Sequence, residues 1–473
     1  MPRMLRYLFA LLLYLVVLSA SLALAFPSVY PTGTTIYKPD SAWNGYTIHP
    51  NPQGAIVIDM NGTVVKQWKG LNGGAGTGPY RIFPGGFVMG SQGPRGIPHQ
   101  EATELVQLDW DGKVVWKFDR GEEVKDLGKE PIWMSRQHHD YQREGNPVGY
   151  YVRGMNPSVT KGNTLILVHK NVKAPKITDK LLLDDVIYEL TWDGKIVWEW
   201  LFSDHFDELG FSEEAKNTLY RHPNWSDRRG GADWLHINSM SILGPNKWYD
   251  AGDQRFHPDN IIWSSRNANI IGITDKKSGK IVWRVGPDYS ATPALRALGQ
   301  IIGQHHPHMI PRGLPGEGNI LVFDNGGWAG YGAPNPISVT GFQNAQRDHS
   351  RVIEFDPVTL KILWEYSAAA AGYPTPTQNY QFYSGNIGSA QRLPNGNTLI
   401  TEGRSGRIFE ATREREIVWE YVSPFFSSEN PRFKPENPIY RAYRVPYEWI
   451  PQLKKPVEKV VVPPDNSNFR VGP

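Results

Sequence analysis

A short pattern that ends in tryptophan occurs six times along this chain. In each copy a hydrophobic pair leads into a tight turn, and a second hydrophobic pair precedes the tryptophan, as in Thr-Trp-Asp-Gly-Lys-Ile-Val-Trp at 191–198. The tryptophans that end the six copies are Trp68, Trp116, Trp198, Trp283, Trp364 and Trp419. A recurring hairpin unit of this kind is typical of propeller blades. We therefore predict an all-β fold, a six-bladed β-propeller with long inter-strand insertions in its middle blades.

The first 25 residues differ in composition from the rest of the chain. Arg3 and Arg6 precede an uncharged apolar run that ends at Ala25 in a small-residue pattern, which is typical of a signal peptide. The run is also long enough to remain as a membrane anchor. We expect 1–25 to be a signal peptide or anchor, 26–443 the propeller, and 444–473 a C-terminal tail. The protein would then be exported to the periplasm or the extracellular space.

The remaining chain is nearly neutral and contains no cysteine. Of 50 Lys and Arg, 48 remain without Arg3 and Arg6, against 47 Asp and Glu. This balance gives no basic footprint for nucleic acid, so we expect no nucleic-acid partner. The absence of cysteine excludes disulfides, thiolate nucleophiles and cysteine-bound metals. Closure of the propeller ring must therefore supply the stability that disulfides often give exported proteins.

Histidines stand just before the second hairpin of three successive blades. His139 precedes one of these hairpins, His236 the next, and His305 and His308 the third. Because such positions face the central funnel of a propeller, we expect these side chains to converge there. Imidazole is suited to proton transfer and nucleophilic attack near neutral pH. We predict His236, His305 and His308 as catalytic residues and His139 as a substrate-binding residue.

Two other interpretations of these histidines remain open. Each one alone could be a buried structural residue, which is the usual role of a histidine in an apolar stretch. A zinc site built from His236, His305 and His308 with a carboxylate is a second possibility. We rank it below a metal-free anion site, because a proline separates His305 from His308 and the pair cannot share a regular helix face. No cofactor and no metal are therefore expected.

Further polar residues end strands at the same rim of the predicted propeller. Arg266 follows one strand, Asn325 follows another, and Arg407 lies near the equivalent place in the last blade. A guanidinium group matches two oxygens of a sulfate or phosphate, and an amide can orient a ligand. We therefore predict Arg266, Asn325 and Arg407 as substrate-binding residues, although each arginine could equally be a surface charge or an ion-pair partner.

At these residues the chain resembles the bacterial arylsulfotransferase family, whose members work without a nucleotide sulfate donor. The likeness extends from about Phe26 to Tyr443. The motifs that carry it are Asp233-x-x-His236-x-Asn238-Ser239, Ser264-Ser265-Arg266, Gln304-His305, Phe323-Asp324-Asn325-Gly326 and Gly406-Arg407-Ile408-Phe409-Glu410. The resemblance implies an exported six-bladed propeller that transfers a sulfuryl group from an aryl sulfate to a phenol. It also implies a ping-pong mechanism through a sulfated histidine.

The resemblance transfers two family residues to this chain, His236 and His305. The family's arginine follows its Phe-Asp-Asn-Gly motif, where this chain reads Gly327-Trp328-Ala329. The family's nucleophilic histidine lies in the last blade, where this chain has Arg407 and no histidine follows His349. Either another histidine, such as His305 or His308, accepts the sulfuryl group, or this branch carries out different chemistry.

Three functions from different classes are therefore compared. The first is an exported sulfotransferase whose partners are a small aryl sulfate and a phenol, with possible membrane attachment through the N-terminal segment. The second is a non-catalytic propeller that binds an anionic ligand or a surface partner, because the last-blade histidine is missing. The third and weakest is a metal-dependent or quinone-cofactor propeller, whose tryptophan-rich repeats look similar.

Overall fold

The computed structural model describes residues 31–72, 78–95, 99–125, 130–427 and 436–463. The predicted signal peptide or anchor therefore lies outside the described residues. The described chain is mostly β-structure in a propeller arrangement, with all of its main sheets antiparallel between neighbouring hairpin strands. None of the helices among these residues has the length and apolar character needed to cross a membrane.

Sheet A brings together strands from both ends of the described chain. Its order is β31-β2-β3-β4, and the strands are β2 (Tyr46–Asn51), β3 (Gly54–Ile58), β4 (Val64–Lys69) and β31 (Tyr443–Val445). Strand β31 crosses the expected boundary between propeller and tail, and Trp449 and Ile450 beyond it are buried in the same hydrophobic cluster as Ile48. Residues 444–450 thus pack on the propeller, and Val461 reaches it through a backbone bridge to Tyr37.

Sheet E joins the N-terminal strand of the described chain to the strands of the last tryptophan copy. Its order is β1-β30-β29-β28-β27, with β1 (Gly33–Tyr37), β27 (Ser389–Arg392), β28 (Thr398–Glu402), β29 (Arg407–Ala411) and β30 (Ile417–Val422). The N-terminal strand β1 adds a fifth strand to it, with Tyr37 opposite Trp419. Tyr37 also exchanges backbone hydrogen bonds with Val461, at 2.8 and 3.0 Å. Both ends of the described chain are therefore tied into the ring.

Sheets C and D follow each other along the chain and carry most of the candidate site. Sheet C contains β17 (Ile237–Ile242), β18 (Ile261–Ser265), β19 (Ile270–Thr274) and β20 (Ile281–Val285), in that order. Sheet D contains β21 (His305–Met309), β22 (Ile320–Asp324), β25 (Arg351–Phe355) and β26 (Ile362–Ser367). The central strands of both sheets are fully buried, because neighbouring sheets cover both of their faces.

Sheet B is a larger, ten-stranded sheet. Its strands are β5 (Arg81–Phe83), β6 (Phe87–Arg95), β7 (Glu101–Leu108), β8 (Val114–Phe118), β11 (Gln137–Arg143), β12 (Thr164–Lys173), β13 (Leu181–Leu190), β14 (Ile196–Leu201), β15 (Trp225–Ser226) and β16 (Gly231–Ala232). Two copies of the tryptophan pattern lie in it. They join because Gln137 of β11 pairs with Ala102 of β7.

The prediction of six separate blades is therefore wrong. Among the described residues, four separate sheets have the size of a blade, with four or five strands each: sheets A, C, D and E. The two remaining copies share sheet B. The two copies merge because β6 and β7 are long. The extended end of β7 reaches β11, where Ala102 pairs with Gln137, the first residue of β11.

The insertions between these sheets contain short elements, as the long intervals between tryptophans predict. Two small hairpins pair β9 (Glu122–Val124) with β10 (Ile132–Met134), and β23 (Ala329–Tyr331) with β24 (Phe342–Ala345). The helices are α1 (Glu213–Arg221), α2 (Lys247–Asp250) and α3 (Pro293–Leu298). Helix α1 begins at Ser212, whose side chain accepts a hydrogen bond from the Ala215 N–H, as a Ser N-cap commonly does.

The six tryptophans connect each copy of the pattern to the next. In every copy the indole Nε1 donates a hydrogen bond of 2.7–3.2 Å to a backbone carbonyl in the turn of the following copy. The last of these bonds runs from Trp419 back to Met60 at 2.8 Å. The tryptophans therefore do more than fill the core, because their hydrogen bonds run completely around the ring.

Candidate functional site

Three inner strands hold histidines in a strained backbone conformation. His139 in β11, His236 just before β17 and His306 in β21 have φ angles of 50°, 52° and 54°. A positive φ is uncommon for residues other than glycine and costs on the order of 1–3 kcal/mol. Strand pairing is irregular at each of these places. Such strain persists where surrounding contacts hold it, and it often marks a functional site.

His236 and His139 form the first part of the site. Their rings meet edge to face, with centroids 4.6 Å apart. The Nδ1 atom of His236 lies 2.7 Å from the Asp233 carboxylate, so Nδ1 carries the proton and Nε2 keeps its lone pair. His236 is also the most accessible of the predicted catalytic histidines, with 16% of its side chain exposed. Its Nε2 is therefore suited to accept or deliver a proton.

Asp233 supports this role as an ionised carboxylate. Burial would raise its pKa, but the His236 imidazole, its hydrogen bond and the Arg229 guanidinium hold the pKa below the ordinary value overall. Arg229 lies 3.6 Å from the same carboxylate. An ionised Asp233 orients His236 and stabilises the imidazolium that forms when His236 takes up a proton.

His305 forms the second part of the site, and its tautomer is fixed by its neighbours. Its Nδ1 lies 2.7 Å from Asn325 Oδ1 and 3.1 Å from the carbonyl oxygen of Gly303. The Asn325 amide nitrogen donates to the carbonyls of Ser384 and Ile387, which leaves its oxygen facing His305. Since both neighbours of Nδ1 are acceptors, Nδ1 carries the proton and Nε2 keeps the lone pair that a nucleophile needs.

The electrostatic surroundings keep His305 neutral. Burial lowers the pKa of His305 well below its ordinary value, and the positive charge of Arg266 lowers it further, against the opposing hydrogen bond to Asn325. Burial likewise lowers the pKa of His139, with a further contribution from His236. A neutral imidazole near pH 7 is the form that can attack an electrophilic sulfur.

Arg266 lines an open cavity whose lining residues include none of these histidines. The cavity has a volume of about 460 Å³ and its lining includes Arg266, Trp328, Tyr383, Gly385, Asn386 and Arg404. The backbone of Arg266 is tied to the carbonyl oxygen of His236 at 3.2 Å. Two arginines can hold an anionic group, and the aromatic rings of Trp328 and Tyr383 offer faces to an aryl group. The cavity thus combines the two surfaces that an aryl anion requires.

His308 does not join the site, contrary to the prediction. Its Nδ1 donates to the carbonyl oxygen of His306 at 2.9 Å, and its Nε2 accepts from the Tyr150 hydroxyl at 3.0 Å. Both ring nitrogens are therefore engaged, and burial lowers its pKa to about 3. The irregular pairing between His305 and His308 separates these side chains. We assign His308 a structural role.

Arg407 also does not serve as the predicted anion-binding group. Its guanidinium donates to Glu402 at 3.0 Å and to Glu420 at 2.6 Å, and it stacks on the Phe409 ring at 4.4 Å. All three charged residues are buried. The charge of Arg407 is therefore neutralised inside sheet E, because two acids of neighbouring strands enclose it.

Sequence reasoning missed two residues that lie between the histidines. The ring of Tyr440 is 5.8 Å from His139 and 6.3 Å from His305. Arg441 donates to Asp140 at 2.9 Å and to the Asn238 carbonyl at 2.6 Å. Both follow the last tryptophan copy, so the repeat gave no signal for them. The structure thus links His236 to His139, Asn325 to His305 and the Arg266 backbone to His236, with Tyr440 in contact with His139 and His305, and it leaves His308 and Arg407 engaged elsewhere.

Solved structures with a similar shape are distant from this chain. A protein of unknown function from Bacteroides caccae has 10% identity over 85% of this chain and 99% of its own, with a TM-score of 0.43. A catalytically inactive virginiamycin B lyase of Staphylococcus aureus, solved with quinupristin, has 11% identity, coverages of 83% and 88%, and a TM-score of 0.34. The Dos1 propeller has 10% identity, coverages of 84% and 73%, and a TM-score of 0.31.

The comparison with protein families is more specific. No curated protein matches this chain. A model of the family described as Arylsulfotransferase (ASST) matches residues 157–441, which is more than half of the chain and includes His236 and His305 but not His139. This match agrees with the motifs around His236, His305 and Asn325. The chain belongs to the arylsulfotransferase family.

Proposed function

We propose that this protein is an exported enzyme that transfers a sulfuryl group from an aryl sulfate to a phenol. His305 is the nucleophile and His236 is the general acid and base. Arg266 and the cavity beside it hold the sulfate and its aryl group. The observation that carries the proposal is the fixed tautomer of His305, whose Nε2 keeps its lone pair within the electrostatic influence of Arg266, a residue that lines the cavity.

The first half of the reaction moves the sulfuryl group onto the protein. The lone pair on His305 Nε2 attacks the sulfur atom, the N–S bond forms, and the bond from sulfur to the aryl oxygen breaks. The leaving phenoxide takes a proton from the His236 imidazolium, which Asp233 stabilises. The His305 ring then carries a positive charge, and Asn325 Oδ1 and the Gly303 carbonyl accept from its Nδ1–H. The positive charge of Arg266 stabilises the negative charge on the sulfuryl oxygens.

The second half returns the sulfuryl group to an acceptor phenol. Neutral His236 removes the phenol proton, the phenol oxygen attacks sulfur, and the N–S bond breaks. The electron pair returns to His305 Nε2, and His236 is again an imidazolium ready for the next aryl sulfate. Both halves use the same two histidines, so no third histidine in the last sheet is required.

Turnover of 4-nitrophenyl sulfate in the presence of phenol tests this proposal. We expect 4-nitrophenol release by the parent enzyme, formation of phenyl sulfate, and a rate that rises with phenol concentration. His305→Ala should lower the rate to background, because no other group replaces the nucleophile. His236→Gln should lower it by about 10²–10⁴-fold, the usual contribution of a general acid and base.

His349→Gln is the matched control, because His349 is a partly exposed loop histidine that is paired with Asp348 instead of with the site. It should turn over like the parent. A parent rate at background, or a His305→Ala rate equal to that of the parent, would sink the proposal. Binding of the aryl sulfate without turnover would instead favour a non-catalytic propeller that binds an anionic ligand.

A further inference from the structure

We propose a metal site in sheet B, in which His138, His169 and Asp185 bind one divalent first-row transition-metal ion, with zinc as the best match. The three residues lie side by side on the neighbouring strands β11, β12 and β13, and His169 is the direct cross-strand partner of Asp185. All three side chains are buried. The cluster adjoins the candidate active site, because His138 contacts His139 and Asp185 accepts a hydrogen bond from the Ile237 N–H, but the metal proposal does not depend on the proposed function.

The distances between the donor atoms match those of a metal centre. Asp185 Oδ1 lies 3.4 Å from His138 Nε2 and 3.8 Å from His169 Nε2. All three ligand atoms lie within 4.8 Å of one another. Ligand atoms held ~2.0–2.2 Å from a tetrahedral zinc ion are roughly 3.3–3.6 Å apart. Small movements of the side chains therefore bring all three donors to bonding distance.

Two atoms of these residues are buried and make no hydrogen bond with the described part of the chain. These are His138 Nε2, a proposed donor, and Oδ2 of Asp185, the carboxylate oxygen next to the proposed donor Oδ1. A buried polar atom without a partner costs free energy, so such atoms are rare in folded proteins. Both belong to residues that converge on the same point. A metal ion there would give each of them a partner.

Hydrogen bonds at the Nδ1 atoms of His169 and His138 set the tautomer in which Nε2 can bind a metal. His169 Nδ1 lies 3.1 Å from Glu101 Oε1, and Arg136 holds this carboxylate at 2.8 Å. The resulting carboxylate–histidine pair leaves the His169 Nε2 lone pair for a metal, a common arrangement in zinc sites. His138 Nδ1 lies 2.8 Å from His139 Nδ1, and donation to His139 leaves the His138 Nε2 lone pair free in the same way.

The donor types select the class of metal. Two imidazoles and one carboxylate suit zinc, iron, cobalt or nickel, whereas calcium and magnesium prefer oxygen ligands. The rings of His138 and His169 are stacked, with centroids 3.7 Å apart and planes 16° apart. Their lone pairs are therefore nearly parallel, so ligation requires the two rings to rotate apart. We expect a metal-loaded structure to show this rotation.

Metal analysis of the full-length protein tests the site. The protein is produced in zinc-supplemented medium and purified without a metal-affinity step or chelator, and bound metal is measured by inductively coupled plasma mass spectrometry. We expect about one equivalent of zinc per chain. Asp185→Asn and His169→Gln should each lower it about tenfold or more. Asn at 185 can still accept the hydrogen bond that the Ile237 N–H now gives to Asp185, at 3.1 Å, so this variant should fold.

His49→Gln is the control, because His49 is another fully buried histidine but lies in sheet A, away from the cluster. It should keep its zinc. Cobalt added to metal-depleted protein should give visible absorption bands of a nitrogen- and oxygen-bound ion in the parent and in His49→Gln alone. A parent that neither carries nor takes up a first-row metal would overturn the proposal. So would variants that bind as much metal as the parent.

Discussion

Two histidine side chains support the proposed chemistry. In each ring, a hydrogen bond from Nδ1 fixes the tautomer, so Nε2 of the same ring keeps its lone pair. Asp233 accepts from His236 Nδ1, and Asn325 accepts from His305 Nδ1. Both rings therefore present a bare Nε2. The partners differ in charge, and this difference separates the two roles. The anionic Asp233 stabilises positive charge that forms on the His236 ring during proton transfer, whereas the neutral amide of Asn325 orients His305 as a nucleophile.

Removal of the Asn325 side chain tests how much this orientation contributes. In Asn325→Ala, His305 Nδ1 keeps only the longer hydrogen bond to Gly303, and the carbonyls of Ser384 and Ile387 each lose one of two donors. We expect kcat with 4-nitrophenyl sulfate to fall about 10²-fold, and the unfolding free energy to fall by about 2–3 kcal/mol. Steady-state kinetics and urea unfolding measure the two effects. Unchanged kcat in a folded variant would refute the orienting role.

Buried neutral histidines should make the protein sensitive to acid. Burial lowers the pKa of His49 to about 4, whereas an unfolded histidine titrates at about 6.5. As the pH falls below about 6.5, the unfolded state binds the proton first, so the stability from this group is complete above that pH and is lost as the pH falls toward 4. The slope is at most about 1.4 kcal/mol per pH unit.

The variant His49→Gln should remove this part of the pH dependence. Between pH 6.5 and 5, the unfolding free energy of the parent should fall by about 1.6 kcal/mol more than that of the variant. Urea unfolding at the two pH values measures the difference. Parallel pH profiles for parent and variant would show that His49 is not kept neutral by the fold.

At the scale of strands, the tryptophan bonds hold neighbouring hairpins together. Each indole fills the gap beside the next hairpin and donates to a carbonyl in its turn. Trp419 is completely buried, and its bond to Met60 joins the last copy of the pattern to the first. Trp198 makes the same type of bond to Lys276, at 3.2 Å, but its ring is only partly buried. The two residues therefore share a role and differ in burial.

This pair offers a matched test of the tryptophan links. Trp419→Phe loses a buried hydrogen bond and leaves the Met60 carbonyl without this donor, so the unfolding free energy should fall by about 2–3 kcal/mol. Trp198→Phe should cost about 1 kcal/mol or less, because water can replace its bond. Urea unfolding of both variants gives the comparison. Equal losses would show that burial of the link does not matter.

Sequence patterns predict the strands better than the way in which strands combine. The tryptophan copies mark real strands, since turn chemistry and hydrophobic pairs are local. The merger of two copies into sheet B depends on one pairing, Gln137 with Ala102, between residues that are distant in sequence. A pattern that repeats locally contains no record of such a contact, so the expected number of separate blades was too high.

The same limit applies at the candidate site. The sequence predicts that His236, His305, Arg266 and Asn325 lie near one another because strand ends of successive hairpins meet at one rim, and their functional roles stay a prediction. His308 was misassigned because alternation along β21 is broken at His306, whose φ is positive. Arg407 was misassigned because Glu402 faces it only through the register of β28 and β29. Irregular strands and cross-strand partners are tertiary features that a single sequence does not display.

At the scale of the molecule, two strands from opposite ends of the described chain close the ring. Strand β1 completes sheet E, and β31 provides the first strand of sheet A. Arg441 and Tyr440 lie just before β31, so the same closure that stabilises the ring also brings these residues between His139 and His305. The free energy of unfolding and the geometry of the site therefore both depend on the pairing of β31 with sheet A.

A substitution at Gly45 tests this closure. A Cβ atom at Gly45 would lie 2.3 Å from the backbone oxygen of Val445 in β31, so Gly45→Ala must push β31 away from sheet A. We expect a loss of about 3 kcal/mol in unfolding free energy and a lower turnover of 4-nitrophenyl sulfate. Gly231→Ala is the control, because its closest contact is a milder 3.3 Å to Leu183. Equal stability of the two variants would contradict a role for β31 in closure.

The most direct measurement is the identification of a sulfated residue. The enzyme is mixed with excess 4-nitrophenyl sulfate without an acceptor, quenched, digested and analysed by mass spectrometry. The account predicts one molecule of 4-nitrophenol released per enzyme in a rapid burst, and one SO₃ group on His305 that disappears when phenol is added. A burst with the SO₃ group on another residue, or turnover with no modified histidine, would contradict it.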